Sequence, residues 1–438
     1  MPKFTRRRLI QTGLAAGAAI ATTRCGAQTD APVGTPNNPA PGPEVNANKM
    51  KDVTLRFIGT GVAQINDIRD KAQEDLGFKI ELKALSTEEN NQIAITQPGQ
   101  YDMFDGEYFS LPLVIPSGNL QPIDVSRLAN FDKIVPFFTT GEFNGMPVEK
   151  AQGTAPIKVM YLKDKDSKEF SATPTNWATM VPFQYNADTL GYRPDLVGRE
   201  ITSWADLFDP AFKGKTSILD IPSIGIMDAA MVVESAGLMT FGDKGNMTKA
   251  EIDEITAILI AKKKEGHFRA FWKTFDESVN LMSSGEVVLQ SMWSPAVTAV
   301  RSKGIECIYA PLKEGYRAWG GGIGLSRSLE GAQLDAAYAY LDWVSDGWVG
   351  AFLGRQGYYS AVPENAKKFM SAEEWDFWYE GKPAAVDMVD PFGATLEKAG
   401  AVRDGGSFEE RMGNVVVWNS TMDEQVYLVQ KWNEFIAA

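Results

Sequence analysis

The stretch "VTLRFIG", Val53 to Gly59, is followed by "INDIRDKAQEDLG" and then by "FKIELKAL", and this order limits the possible folds more than any other feature of the chain. The outer two segments are short and apolar, rich in the β-branched and aromatic residues that suit a strand. Between them Ile65, Ile68, Ala72 and Leu76 recur at the spacing of one helix face, and Gly77 marks the stop. Strand, helix, strand is the signature of a parallel sheet with helices on its faces.

The theme returns further on. Thr248 and Glu251 form a capping box ahead of Ile252, Ile255 and Leu259, and Lys262 to Lys264 close that helix where its dipole favours positive charge. "SGEVVLQSMW" reads as a buried strand, while "AQLDAAYAYLDWVSDG" and "DEQVYLVQKWNEFI" read as helices packed on one side. No internal repeat is visible. From Lys51 the chain is too long for one ordinary core, so the expectation is an α/β fold of two lobes with a ligand cleft between them. Ligands of open α/β sheets sit at the carboxyl ends of strands, which places Trp293, at the end of its strand, where a cleft residue belongs.

The N-terminal residues read as an address. "TRRRLIQTG" puts Arg6 and Arg7 ahead of a short apolar run with no acidic residue, far below the ~20 residues of a membrane span. Residues 1–27 are expected to be a signal peptide of twin-arginine type, with Ala27 closing a small-x-small cleavage site and lipidation of Cys25 as the alternative. Residues 28–50 hold five prolines and almost nothing apolar, the composition of a flexible linker. The destination this implies is the periplasm.

Composition removes most familiar catalysis. The single histidine, His267, is expected at the surface or at a helix end, and Cys307 as a small buried hydrophobe. With so few ligands, the common zinc, haem and iron–sulfur sites are unsupported, and no cofactor is expected. "FKGKTS" and "WGGGIGLS" lack the spacing of phosphate- or dinucleotide-binding loops and read as tight turns. "YDMFDGEYF" gathers Asp102, Asp105 and Glu107, but not at calcium-loop spacing. A secreted enzyme using cleft carboxylates, hydrolase-like, is the alternative to a binding protein. The net charge of −13 argues against nucleic acid and suits a cationic ligand.

"YDMFDGEYFSLPLVIPSGNLQPID", "VPFQYNADTLGY", "TSWADLFDPAFKGKTSILD", "MSSGEVVLQSMWSPAV", "RAWGGGIGLSRSLEGAQLDAAYAYLDWV" and "GYYSAVPEN" follow one another in an order that resembles the spermidine/putrescine-binding proteins. These are periplasmic receptors of ABC importers. The resemblance implies a type II periplasmic-binding-protein fold, with lobe 1 starting at 51–180, lobe 2 at 181–318, and 319–438 as a return to lobe 1 plus C-terminal helices. It also implies a membrane permease as partner, a monomer, and capture by lobe closure. The stretch Gly141 to Trp177 is longer than the family pattern.

Carried over by motif, the candidate ligand residues are Tyr108 or Phe109, Asp220, Trp293, Trp319 and Tyr358 or Tyr359; Glu107 of the acidic cluster joins them, as does Trp272, which could face the cleft or equally pack in the core. An aromatic box holds a cation through ring faces at ~0.5 to 2 kcal/mol each, and carboxylates supply charge-assisted hydrogen bonds. Three departures stand out. "GTG" at 59–61 replaces a tryptophan, Ser223 replaces a second acid, and Ser294 and Pro295 follow Trp293 where polyamine binders carry an acid. Thr60 and Ser223 therefore join the candidates as hydrogen-bonding groups, and the ligand class widens from polyamines to betaine-like onium zwitterions. Trp204 reads as structural, and Trp343, Trp348, Trp375, Trp378 and Trp432 as helix residues at core spacing.

Overall fold

The computed structural model describes residues 50–148 and 151–438. The signal segment, Cys25 and the linker up to residue 49 lie outside the described residues. Met50, taken above as the linker's last residue, is instead buried in the core of the first lobe.

The opening strand, helix, strand order is present. β1 (Thr54–Gly59) pairs in parallel with β2 (Lys79–Ala84), Thr54 opposite Lys79 and Gly59 opposite Ala84. Between them α1 (Asn66–Leu76) buries Ile68 and Ala72 and ends at Gly77, whose φ of 76° lets its N–H turn back to the Gln73 carbonyl. α2 (Thr87–Thr96) starts at a Ser86–Glu89 capping box and leads to β3 (Met103–Glu107), which pairs in parallel with β1.

β4 (Val181–Tyr192) is buried along its whole length and carries the chain into the second lobe. There follow β5 (Thr216–Leu219), α3 (Pro222–Ser235), α4 (Lys249–Lys264), β6 (Phe268–Trp272), α5 (Phe275–Ser284), β7 (Leu289–Met292) and α6 (Ser294–Arg301). The Thr248–Glu251 capping box on α4 is formed, with Thr248 N–H donating to Glu251 at 2.7 Å. β8 (Tyr316–Ser326) returns, followed by α7 (Gly331–Ser345), α8 (Trp348–Gly354), β9 (Tyr359–Ser360), α9 (Phe408–Gly413), β10 (Val415–Trp418) and α10 (Gln425–Ala437).

The strands run in the order β6-β5-β7-β4-β8-β3-β1-β2. β4 and β8 belong to both lobes: β4 pairs with β8 through Asp188 and with β7 from Thr189 to Tyr192. Each lobe keeps its own core. Phe57, Phe104, Phe138 and Tyr340 belong to the first, and Trp204, Ile226, Ile255 and Leu289 to the second.

Four expectations need correction. "WGGGIGLS" is not a turn but lies inside β8. Its glycines let apolar bulk press on one side of the strand: a Cβ at Gly322 would sit 3.0 Å from both Met180 and Tyr108 side chains, so a larger residue would force them apart. His267 follows its helix but is buried, 2.7 Å from the Leu207 carbonyl and edge-on to Phe208 and Phe268.

The remaining two corrections concern how often the chain crosses. After β10, which runs beside the start of β8, the chain passes through Asn419 to Thr421 and enters the second lobe. α10 then packs on α3 and α4, burying Leu428, Trp432 and Phe435, each ~1.5 to 3 kcal/mol of transfer free energy. The joint therefore has three strands of chain rather than two, and the last helix belongs to the second lobe. Part of the long stretch Gly141 to Trp177 reaches the same lobe: the Gly153 N–H donates to Asp243 at 3.0 Å, and the Gln152 amide bonds Gly242 and Lys244.

Cys307 is buried, and burial pushes its thiol up to about 12, as suits an inert hydrophobe. Trp204 is fully buried with its indole N–H on the Gly315 carbonyl. Among the described residues no helix is long and apolar enough to cross a membrane.

Candidate functional site

Register decides which side chains share a face where the lobes join. Residues directly opposite on paired strands point the same way, and neighbours along a strand alternate. Gly321 of β8 lies opposite Glu107 of β3 and Gln184 of β4, Ile323 opposite Asp105, Trp319 opposite Asn186, and Arg317 opposite Asp188. One face of three adjacent strands thus carries Asp105, Glu107, Gln184, Asn186, Asp188, Arg317 and Trp319, with Gly321 in the middle beneath the side chains of Gln184 and Trp319. The other face carries Phe104, Gly106, Tyr185, Ala187, Gly320 and Gly322 and is packed by Phe138 and Tyr108.

Asp105 is 3% exposed and sits against the turn after β1. Both the backbone N–H and the hydroxyl of Thr60 donate to it, at 3.1 and 3.3 Å. Gly59 admits this approach, since a Cβ there would lie 2.6 Å from Asp105 Cβ and 2.7 Å from the Gln64 amide nitrogen. The Gln64 amide atoms and Gln184 Oε1 are buried without a protein partner. Burial pushes Asp105 up to about 7 despite the Thr60 bonds.

Glu107 accepts from the Asn419 amide at 2.9 Å, and that amide's oxygen accepts from Arg317 at 2.8 Å. Arg317, 1% exposed, also holds Asp228 at 2.6 Å and Asp188 at 3.5 Å. Burial pushes Glu107 up to about 7 and Asp188 up to about 6, with Arg317 pulling against both, and raises Asp228 as well. Arg317 thus faces two carboxylates directly and a third, Glu107, through Asn419, while Asp105 shares the sheet face. Buried charge of one sign without compensation is costly, so this face favours a further positive charge.

Trp319 stands edge-on to Tyr358 with ring centroids 6.1 Å apart. Tyr358 is buried, which raises its hydroxyl pKa, and the charges of Asp188 and Asp105 raise it further. Thr60, Glu107, Trp319 and Tyr358 are therefore brought together around the carboxylates. A second group lies next to them: Phe109, two residues past Glu107, joins Leu219, Ile221, Ile224 and Trp272 in a small apolar cluster, with Trp293 packed on it. Trp293 is half-buried, edge-on to Trp272 at 4.8 Å and stacked on Phe275 at 6.5 Å. Trp272 is fully buried with its N–H on the Ser291 carbonyl at 3.1 Å.

Three candidates do not join the carboxylate face. Tyr108 points through the opposite, apolar face, its hydroxyl on the Met180 carbonyl at 3.0 Å, because it follows Gly106 rather than Glu107 in the alternation. Asp220 is engaged by the Trp432 indole at 2.7 Å and by Lys273 at 3.2 Å, which makes it an anchor for α10. Ser223 is half-exposed in the first turn of α3. Asp105, Gln184, Asp188, Arg317, Asp228 and Asn419 were not among the candidates. The first three were readable, as polar residues two apart in otherwise apolar strands, "MFDGE" and "VPFQYNAD".

A surface cavity of about 570 Å³ lies on the first lobe, lined among others by Asp67, Lys71, Trp348, Phe352 and Arg355. It contains none of the buried carboxylates and is not the candidate. Among the described residues no cluster of metal-ligating side chains occurs.

An acid-rich sheet face beside an aromatic wall, set where two α/β lobes share strands, has the build of a two-lobed binding protein. The family profile of bacterial extracellular solute-binding proteins matches residues 67–373, and the chain belongs to that family, which is one of receptors rather than enzymes. It is similar to the spermidine/putrescine-binding periplasmic protein of Escherichia coli K12, 26% identical over 252 residues that make up 56% of this chain and 60% of the relative. The chain thus spans about 60% of the length of the curated relatives it matches. Its fold is similar to that of a Listeria monocytogenes protein provisionally assigned as a spermidine/putrescine ABC transporter, with TM-score 0.60 and 15% identity over 87% of this chain and 98% of that one. It is also similar to a periplasmic binding protein of A. tumefaciens B6 in complex with glucopine, with TM-score 0.56 and 12% identity over 87% and 99% of the two chains.

Proposed function

We propose that this protein is the extracellular receptor of an ABC importer and that it captures a small organic cation, or a zwitterion presenting one, between its lobes. The observation that carries the reading is the burial of Asp105, Glu107, Asp188 and Asp228 together, with Arg317 the one cation that forms ion pairs with any of them among the described residues. An ammonium group placed among them restores charge balance, and Trp319 and Tyr358 offer ring faces to its alkyl or methyl substituents. The partnerless amides of Gln64 and Gln184 supply hydrogen bonds for a second polar end. The spermidine/putrescine names of its relatives agree with a cationic ligand.

Thr60, Glu107, Trp319 and Tyr358 are assigned to this site, with Phe109, Trp272 and Trp293 as its apolar wall. Ligand binding favours the closed pair of lobes, and the closed form docks on a membrane permease. The paired arginines of "TRRRLIQTG" direct export to the periplasm. Calorimetry with putrescine, spermidine and glycine betaine tests the reading. Heat of binding from at least one, with affinity sharply weakened by Asp105→Asn, is expected; no heat and no thermal stabilisation from all three sinks it.

A further inference from the structure

Behind the hinge, on the other face of β4, lies a cluster with the opposite charge. Arg403 and Arg411 are 4% and 3% exposed, and their guanidinium carbons stand 5.0 and 5.9 Å from the centre of the Tyr359 ring. Neither pairs with a carboxylate among the described residues. Glu397 and Asp404 are both engaged by Arg301, and Asp404 also accepts from the Tyr309 N–H. Asp188 is taken by Arg317 and the Ser294 N–H.

The donors are only partly used. Arg403 gives one nitrogen to the Trp378 carbonyl, and Arg411 gives one to the Ser294 hydroxyl and stacks 3.9 Å over Tyr309. Arg403 Nε and Nη2, Arg411 Nε and the hydroxyls of Tyr359 and Tyr185 are buried without any partner. Buried polar atoms almost always have partners, and a group of five donors around two guanidiniums without a salt bridge calls for an anion or ordered water. Water satisfies the hydrogen bonds but gives neither guanidinium a directly bonded counter-ion. An anion does both.

We infer that Arg403, Arg411 and Tyr359 form a buried site for a small monovalent inorganic anion, chloride being the abundant candidate. The site lies against the joint. Tyr359 and Tyr185 come from the sheet of the first lobe, while Ser294, which orients Arg411, opens α6, whose Ala296, Val297 and Val300 pack into the same core, and donates its N–H to hinge residue Asp188. The anion thus braces the back of the joint, on the face away from the proposed solute site.

Two measurements test this on the mature protein. Crystals grown in bromide should show an anomalous peak beside the Tyr359 hydroxyl, between the two guanidiniums. At constant ionic strength, replacing gluconate with chloride should raise the melting temperature saturably by about 3 °C, and Arg403→Met should abolish the rise. No bromide peak at that position, or an equal chloride response in a folded Arg403→Met variant, overturns the proposal. Should that variant fail to fold, the bromide experiment on the unaltered protein decides alone.

Discussion

The carboxylate face and the aromatic corner adjoin at the joint, yet different forces hold them. Phe109, Trp272 and Trp293 are packed by contact, and every indole N–H that is deeply buried there has a partner. Asp105, Glu107 and Asp188 are buried with charge that burial disfavours, and amides beside them lack partners. The corner is complete as it stands. The face holds buried acid that the proposed cation would balance, so the proposal puts affinity there rather than in the tryptophans.

Mutations that separate these roles sharpen the contrast. The largest effect belongs to the corner: Trp272→Ala removes a fully buried indole and should cost ~3 to 5 kcal/mol of stability, read by urea denaturation. On the face, Asp105→Asn should leave the unliganded protein folded while weakening cation binding about 100-fold by calorimetry, roughly 2.7 kcal/mol.

The pH response should set the two regions apart next. Asp105 and Glu107 have folded pKa values of about 7, raised above those of the unfolded chain, so the folded state binds protons more tightly. Their contribution to stability is full below ~4 and is lost as pH rises through about 7. Melting of the unliganded protein should therefore fall from pH 5.5 to pH 8, less so in Asp105→Asn, while cation binding tightens over the same interval. A corner variant such as Phe109→Leu should keep the whole pH dependence.

The smallest effect tests the boundary between them. Trp293 is half-buried and touches Trp272 edge-on, a contact worth ~0.5 to 1.5 kcal/mol. Trp293→Ala should lower stability by about that much and weaken ligand binding about tenfold, ~1.4 kcal/mol. An unchanged affinity returns Trp293 wholly to the corner.

Much of the fold was legible because it rests on local signals. The helix face from Ile65 to Leu76, the Gly77 stop and the Thr248–Glu251 box need no distant partner to be read. The site was legible only in part. Trp319 and Tyr358 came from motif order, and Asp105 and Asp188 lay open to strand alternation. Arg317 and Asn419 did not: their meeting depends on β10 running beside β8, a pairing between residues about a hundred positions apart. Nothing local marks Asn419 as the link between Glu107 and Arg317.

That third passage of chain also makes the protein its own gauge. Met50 is packed into the first lobe, whereas Trp432 and Phe435 are packed into the second. Fluorophores attached close to the two ends of the described chain would each ride on a different lobe. Their energy transfer would report the angle between lobes directly, without a probe placed near the solute.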